Sequence, residues 1–307
     1  MDKFGLIGHP IATSGSPALF NAAYGGKLRY DLIEGENFEA SWAKFLAEYR
    51  AINVTAPFKE PAYRKVLAAA LEGKGDVDGP VLKIGATNLV VQDGNGNLHA
   101  HNSDFSGIVY CIAEGLFPGM VATLTEEYGD KAPVKVHQFA RQGIPQLYSR
   151  TPQALVVGCG GAGKAAAVAA AELGFSTALM NRTPEKAQAI ADKLPEYGFV
   201  CVPVADFKNA FRECELVIYT LPMALPALEE LSPADFEGEE RYGRMGPGKM
   251  VLEANYKTPS FGPDLLCLAS RAGCQYIPGR RWLLYQAMSG YSLMTGQAPD
   301  AKAMTRI

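Results

Sequence analysis

The sequence predicts an α/β protein of two domains: a mixed α/β domain at the N-terminus, then a doubly wound, parallel-sheet domain. Three observations predict it. The chain has 307 residues, enough for roughly two domains. From residue 154 onward short apolar strands alternate with helices, the pattern of a parallel sheet with crossover helices. The first hundred residues mix strands, helices and a hairpin turn without that regular alternation.

In order, Phe4–Gly8 reads as a short buried strand and His9–Ser16 as a loop. Ser16 is the expected N-cap of a helix that has Pro17 at its first position, where a missing N–H costs nothing. Leu28–Ile33 is a strand, Phe38–Tyr49 an amphipathic helix, and Ala51–Thr55 a strand ended by Pro57. Asn88–Gln92 and Asn97–Asn102 flank Asp93-Gly94-Asn95-Gly96, a hairpin signal, and a helix follows from about Phe105. Leu116–Gln153 mixes Gly, Pro and charges with no clean period, so it reads as an irregular insertion at about 116–153. Ala154–Val157 is a strand, Gly158–Gly163 a turn, Lys164–Leu173 an Ala-rich helix and Ser176–Asn181 the next strand. Val200–Val202, Leu216–Thr220 and Met250–Glu253 are further strands, and Arg281–Thr295 is a closing helix. The predicted boundaries are therefore 1–107 for the first domain and 108–279 for the second, with 280–307 packing back on the first.

Lys plus Arg number 29 and Asp plus Glu 32, a formal charge of −3, with 48% apolar and 20% charged residues. That balance supplies no basic field for nucleic acid or anionic membranes, and the apolar content is too high for disorder. No apolar run reaches the roughly 20 residues that cross a bilayer. The N-terminal run is too short for a signal peptide. The six cysteines (Cys111, Cys159, Cys201, Cys214, Cys267 and Cys274) form no C-x-x-C pair and have no His clustered near them. Reduced thiols in a cytoplasmic protein, with no metal site, are the expectation.

Gly158-Cys159-Gly160-Gly161-Ala162-Gly163 satisfies G-x-G-x-x-G between a strand and a helix. Glycines there allow a tight turn and close approach to a pyrophosphate, and the helix N-terminus supplies N–H groups and partial positive charge. The second domain is thus expected to be Rossmann-type. An NAD site would carry an acid at the end of the second strand, about 20 residues on. Asn181-Arg182-Thr183 stands there instead, and a guanidinium beside a hydroxyl suits a 2′-phosphate, so NADP is favoured. Lys186 reads as a solvated charge.

Three polar segments of the first domain are unremarkable singly: Thr13-Ser14-Gly15-Ser16-Pro17, Asn53-Val54-Thr55-Ala56-Pro57-Phe58-Lys59 and Asn102-Ser103-Asp104. A helix start, a solvated Lys and an N-capping Asp would each be ordinary. In combination, and in order, they resemble the shikimate dehydrogenase family. Its G-x-P-I-x-H-S-x-S-P, N-V-T-x-P-[FHY]-K, G-A-x-N and N-T-D-x-x-G motifs correspond to residues 8–17, 53–59, 85–88 and 102–107. The glycine turn and Asn181-Arg182-Thr183 match as well, and G-x-x-M-L-x-x-Q-A corresponds to Gly279–Ala287.

The resemblance implies an NADP-dependent oxidoreductase that interconverts 3-dehydroshikimate and shikimate, a step of aromatic amino acid synthesis. Lys59 and Asp104 would be the catalytic pair. Ser14 and Ser16 would hold the substrate carboxylate, and Thr55, Asn88, Tyr256 and Gln286 would bind the rest of the substrate. Gly158, Gly160, Gly161, Ala162, Gly163, Asn181, Arg182, Thr183 and Gly279 would bind the cofactor. The implied partner is a small molecule, with no nucleic acid and no membrane. Several positions depart from the family pattern: Thr13 and Gly15 in the carboxylate loop, Phe20, Leu89, residues 218–223 in place of N-A-T-x-x-G-M, and Trp282 after Arg280 and Arg281 in place of Met. These leave open a related dehydrogenase acting on quinate or another cyclic hydroxy acid. A non-catalytic sensor binding NADP or shikimate is the third reading.

Overall fold

A computed structural model describes residues 2–237 and 247–307. Met1, at the head of the first apolar run, lies outside the described residues. The chain divides into two compact units: Met1–Gly107 with Thr123–Pro133 and Leu284–Ile307, and Ile108–Ala122 with Val134–Leu283.

The first unit holds strands β1 (Lys3–Gly8), β2 (Arg29–Glu34), β3 (Ala51–Val54), β4 (Gly75–Val77), β5 (Leu89–Gln92) and β6 (Leu98–His101). They form one mixed sheet in the order β2-β1-β3-β5-β6-β4. β1 runs parallel to β2 and β3, whereas β5 is antiparallel to β3 and to β6. This arrangement decides where the polar segments emerge. The C-terminal ends of β1, β3 and β6 and the N-terminal end of β5 all lie at one edge of the sheet, and each of those four points carries one of the polar motifs.

Helices α1 (Ser16–Tyr24), α2 (Phe38–Glu48), α3 (Lys59–Leu71), α4 (Gly79–Ile84) and α5 (Ser103–Leu116) follow their strands. Trp42, Phe45, Ile52, Val54, Phe58 and Val66 are buried together between sheet and helices. Asn37 caps α2 by accepting from the Ala40 N–H at 3.1 Å. Ser16 is not the N-cap of α1. Gly15 occupies that position, and Ser16 already has helical geometry, with the Ser14 hydroxyl accepting from its N–H at 3.3 Å. Asn102 caps α5 by accepting from the Phe105 N–H at 3.0 Å, so the helix begins at Ser103, ahead of the expected start, and Asp104 sits in its first turn.

The segment expected to be irregular is helical. Met120–Tyr128 forms α6 and Ala132–Leu147 forms α7. Their sequence hides this because Gly129 falls between the helices while Pro133, Gly143 and Pro145 fall inside α7. Gly143 is needed there: a Cβ would lie 2.9 Å from the Phe117 ring.

In the second unit β7 (Gln153–Val157), β8 (Ser176–Met180), β9 (Val200–Cys201), β10 (Leu216–Tyr219), β11 (Met250–Glu253) and β12 (Gln275–Ile277) form an all-parallel sheet in the order β12-β11-β10-β7-β8-β9. Helices α8 (Gly161–Glu172), α9 (Pro184–Lys193), α10 (Phe207–Glu213), α11 (Pro233–Phe236) and α12 (Pro263–Arg271) connect the strands. The order reverses direction between β8 and β10 on either side of β7, the switch point where such sheets bind ligands beyond their carboxyl ends.

Three buried charges hold this unit. Lys249 donates to the carbonyls of Phe211 at 2.6 Å and Arg212 at 3.1 Å at the end of α10, a terminus that favours a cation. Burial lowers its pKa. Asp235 accepts from Ser232 and Arg212, which hold its carboxyl below the ordinary value against the opposing effect of burial. Glu253 accepts from the Tyr276 hydroxyl at 2.6 Å and anchors the loop after β11 through the Ser260 N–H.

The chain ends with α13 (Gly279–Thr295) and α14 (Ala301–Met304). From Leu284 onward it is part of the first unit. There Tyr24 and Thr295 share a hydroxyl–hydroxyl bond of 2.8 Å, and the Asp300 N–H donates to the Ala23 carbonyl at 2.9 Å. Among the described residues no helix is long and apolar enough to cross a membrane, and no group of three or more His, Cys, Asp or Glu could hold a metal ion.

Candidate active site

Lys59 opens α3 directly after the turn in which the Phe58 N–H donates to the Thr55 carbonyl at 2.9 Å. Its Nζ donates to Asp104 Oδ2 at 2.6 Å, with the two side chains 26% and 15% exposed. A pair so placed is sheltered enough to be oriented and open enough to reach a ligand. The backbone locks the pair as well: the Thr87 N–H donates to the Lys59 carbonyl at 3.1 Å and the Val54 N–H to the Asn88 carbonyl at 2.8 Å. Three motifs far apart in sequence are thereby fastened into one edge. One of the three donors of the ammonium is committed to Asp104.

Asn88 is buried, and its amide brackets Ser103. Oδ1 accepts from the Ser103 N–H at 2.7 Å and Nδ2 donates to the Ser103 hydroxyl at 3.0 Å. Ser14 and Ser16 are half-buried, with Ser14 donating to the Ser16 hydroxyl at 3.1 Å. Thr55 is half-buried just past β3, and Gln286 half-buried on α13. One turn after Gln286, a Cβ on Gly290 would lie 3.2 Å from Ser103 Cβ, so that face of α13 lies against the same edge. Tyr256 is elsewhere: it stands 38% exposed after β11 in the second unit, with the Lys257 ammonium over its ring.

The glycine turn follows β7. Gly158 has φ +101°, and a Cβ there would lie 2.5 Å from the Thr220 hydroxyl. A Cβ on Gly163 would lie 1.9 Å from the Gly158 carbonyl oxygen, which lets α8 sit tightly on the turn. Gly160 and Gly161 have nothing within 4 Å of the corresponding point, so the backbone at the start of α8 is uncovered on that side. That combination of packed and open glycines fits the pyrophosphate of a dinucleotide. Ala162, between them, is half-buried.

Asn181 is a brace for this turn. Its Oδ1 accepts from the Cys159 N–H at 3.1 Å and its Nδ2 donates to the Thr183 carbonyl at 2.9 Å. Arg182 is exposed, its guanidinium 3.2 Å from the Met223 sulfur. Thr183 occupies the N-cap position of α9 without a side-chain cap bond. Gly279 has a packing reason for being glycine, since a Cβ would lie 2.6 Å from the Ala254 carbonyl oxygen. The 218–223 departure is also accounted for. Tyr219 is buried edge-on to Phe261, and its hydroxyl donates to the Met223 carbonyl at 2.8 Å and accepts from the Leu225 N–H at 2.9 Å, bracing that loop. Trp282 is buried while Arg280 and Arg281 are exposed.

Sequence reasoning missed Ser103, Asn53, Tyr30 and Tyr291 around the first-unit edge. Asn53 and Ser103 lay inside the quoted motifs. Tyr30 and Tyr291 look like apolar positions of a strand and a helix, and nothing local marks them.

A parallel-sheet unit with a dinucleotide-type glycine turn, together with a mixed-sheet unit presenting a Lys–Asp pair, defines a two-unit α/β protein of the nucleotide-dependent dehydrogenase class. Residues 138–233 match the family described as shikimate / quinate 5-dehydrogenase. The chain is 29% identical to a shikimate dehydrogenase (NADP(+)) of Moorella thermoacetica over 98% of its own length and 90% of that protein's. It is 28% identical to one of Archaeoglobus fulgidus, over 98% and 95% of the respective chains. A shikimate 5-dehydrogenase of Thermus thermophilus solved with NADP(H) and shikimate superposes with a TM-score of 0.67 at 25% identity, covering 100% and 98% of the two chains. A quinate dehydrogenase of Corynebacterium glutamicum solved with NAD has the same fold, with a TM-score of 0.71 at 22% identity over 99% and 97%. The resemblance to the shikimate dehydrogenase family read from the motifs is borne out over nearly the whole chain.

Proposed function

We propose that this protein is an NADP-dependent shikimate dehydrogenase that reversibly reduces 3-dehydroshikimate to shikimate. The Lys59–Asp104 pair, at 2.6 Å on the sheet edge that also carries Ser14, Ser16, Thr55 and Asn88, carries this reading. The whole-length relatives named for that activity support it. The 1–107 unit with the returning C-terminal helix takes the substrate, and 108–279 takes the cofactor. The reaction belongs in the cytoplasm, where the six free cysteines stay reduced.

Bound NADPH supplies the hydride. Lys59 gives a proton to the substrate carbonyl oxygen as it becomes a hydroxyl and takes the proton back in the reverse direction. Asp104 holds the ammonium by a charge-assisted hydrogen bond. Ser14 and Ser16 hold the substrate carboxylate, Thr55, Asn88 and Gln286 bind ring hydroxyls, and the family resemblance adds Tyr256 to the substrate-binding residues. Gly158, Gly160, Gly161, Ala162 and Gly163 receive the pyrophosphate at the start of α8. Arg182 and Thr183 receive the 2′-phosphate, with Asn181 holding the turn and Gly279 seating α13.

The test follows the absorbance of reduced nicotinamide with purified protein, shikimate and NADP. Turnover is expected with shikimate; turnover with quinate alone overturns the assignment. Arg182→Gln is expected to lower kcat/KM with NADP by about 10–100-fold, the worth of a charge-assisted hydrogen bond, and to leave the value with NAD within about twofold. An equal fall with both cofactors would show that Arg182 does not read the 2′-phosphate.

A further inference from the structure

The segment from β1 to α1 leads into Ser14 and Ser16, and its residues 9–15 adopt neither strand nor helix geometry. The place of the two serines is therefore set by bonds that fasten this loop. Backbone bonds hold its start: the Gly35 N–H donates to the Gly8 carbonyl at 3.4 Å and the His9 N–H to the Ala56 carbonyl at 3.3 Å. Ile11 anchors its middle. The Ile11 side chain is buried, and a Cβ on Gly8 would lie 3.0 Å from Ile11 Cγ2 and 2.3 Å from Thr55 Cγ2, so glycine there lets the loop close down beside Thr55.

A side chain from another strand holds the Ile11 peptide. The Ile11 N–H donates to Oε1 of Glu34, at the end of β2, at 3.2 Å. The Ile11 carbonyl in turn accepts from the Ser14 N–H at 2.9 Å. The Ser14 hydroxyl accepts from the Ser16 N–H at 3.3 Å and donates to the Ser16 hydroxyl at 3.1 Å. A hydrogen-bonded path thus runs from Glu34 through Ile11 and Ser14 to Ser16, and none of its bonds uses the Ser16 hydroxyl as a donor. His9 faces the same carboxylate, with Nδ1 3.7 Å from Glu34 Oε1 and Nε2 3.4 Å from Glu36 Oε1. A carboxylate is a strong acceptor for a peptide N–H, and its partial exposure to solvent keeps the tie modest.

We propose that Glu34 is a positioning residue that holds the Ile11 peptide and thereby sets the place of Ser14 and Ser16 for the substrate carboxylate. The proposal rests on the substrate-binding reading of the two serines. Glu34 needs no contact with substrate, and a second carboxylate close to the substrate's own would weaken binding by repulsion. Its work is done by an oxygen at one point, which accepts the Ile11 N–H. Without that oxygen the loop loses its tie to β2, and carboxylate binding weakens while proton transfer at Lys59 is unaffected.

The experiment compares wild type, Glu34→Ala, Glu34→Gln and the double-serine variant Ser14→Ala/Ser16→Ala in steady-state kinetics with shikimate and NADP. Glu34→Ala is expected to raise the shikimate KM about three- to tenfold, the worth of one hydrogen bond to a charged group open to solvent, with kcat and the NADP KM within about twofold. Glu34→Gln keeps an acceptor for the Ile11 N–H and should stay within about twofold of wild type. In the double-serine background Glu34→Ala should cause no further rise, because Glu34 acts through the serines. An unchanged or lowered shikimate KM in Glu34→Ala, a Gln variant as poor as the Ala variant, or a fall in kcat instead overturns the proposal. Amide hydrogen exchange without substrate gives a second readout: residues 9–16 should exchange faster in Glu34→Ala and at the wild-type rate in Glu34→Gln, and unchanged exchange in Glu34→Ala overturns the tie. Failure of the serine reading appears as a wild-type shikimate KM in the double-serine variant, and failure of the tie appears only in the Glu34 variants.

Discussion

Lys59→Ala is expected to lower kcat by about 10²–10⁴-fold, the usual contribution of a positioned proton donor. At about 1.36 kcal/mol per factor of ten, that is roughly 3–5 kcal/mol of transition-state stabilisation. The expectation follows from the pair geometry. A proton must reach the carbonyl oxygen as hydride arrives at carbon, and water could deliver it only without the orientation that Asp104 imposes at 2.6 Å. The fold should tolerate the change, because Lys59 begins α3 at a half-buried position and its backbone carbonyl, not its side chain, holds Thr87. Asp104→Asn should lose less than Lys59→Ala, since an amide oxygen can still accept from the ammonium but no longer matches its charge. Combining the two should cost little beyond Lys59→Ala, because residues acting as one unit are strongly non-additive. The check is kcat under saturating substrate and cofactor, with circular dichroism showing that each variant is folded. Full kcat in Lys59→Ala would remove Lys59 from the mechanism.

How much of this was legible in the sequence depends on whether a residue's role is local. The glycine turn could be read because strand, Gly158–Gly163 and helix are contiguous and each glycine has a backbone reason. Lys59 and Asp104 are 45 positions apart, and no periodicity joins them; only a family resemblance brought them together, and the register of β3, β5 and β6 is what does so physically. Ser16 was read as a cap because Ser before Pro often is one, yet Gly15 takes the cap position and Ser16 lies inside the helix, its own N–H donating to the Ser14 hydroxyl. The two helices between 116 and 147 were hidden by Gly and Pro whose cost is offset by tertiary contacts such as Phe117 against Gly143. Nothing in the sequence around Lys249 marks it as buried. Its burial follows from the carbonyls at the end of α10, partners more than 30 residues away.

The second large effect is at the turn, where neighbouring glycines should fail in different ways. In Gly163→Ala the new methyl would stand 1.9 Å from the Gly158 carbonyl oxygen and 2.7 Å from its carbon, both backbone atoms that cannot swing aside. The turn and α8 must separate, at an overpacking cost of about 1–3 kcal/mol or more. A melting temperature lower by about 2–4 °C for each kcal/mol is expected, together with an NADP KM raised at least about tenfold. Gly160→Ala meets nothing within 4 Å, and its φ of −81° suits any residue. Its melting temperature should match wild type. Its NADP KM should still rise, because the methyl would occupy the space through which the pyrophosphate approaches the α8 N–H groups. The pair of variants therefore separates the glycine that builds the turn from the glycine that admits the ligand. Wild-type cofactor affinity in Gly160→Ala would mean that the phosphates do not approach at that point, and wild-type stability in Gly163→Ala would mean that the turn and helix are not in the close contact described.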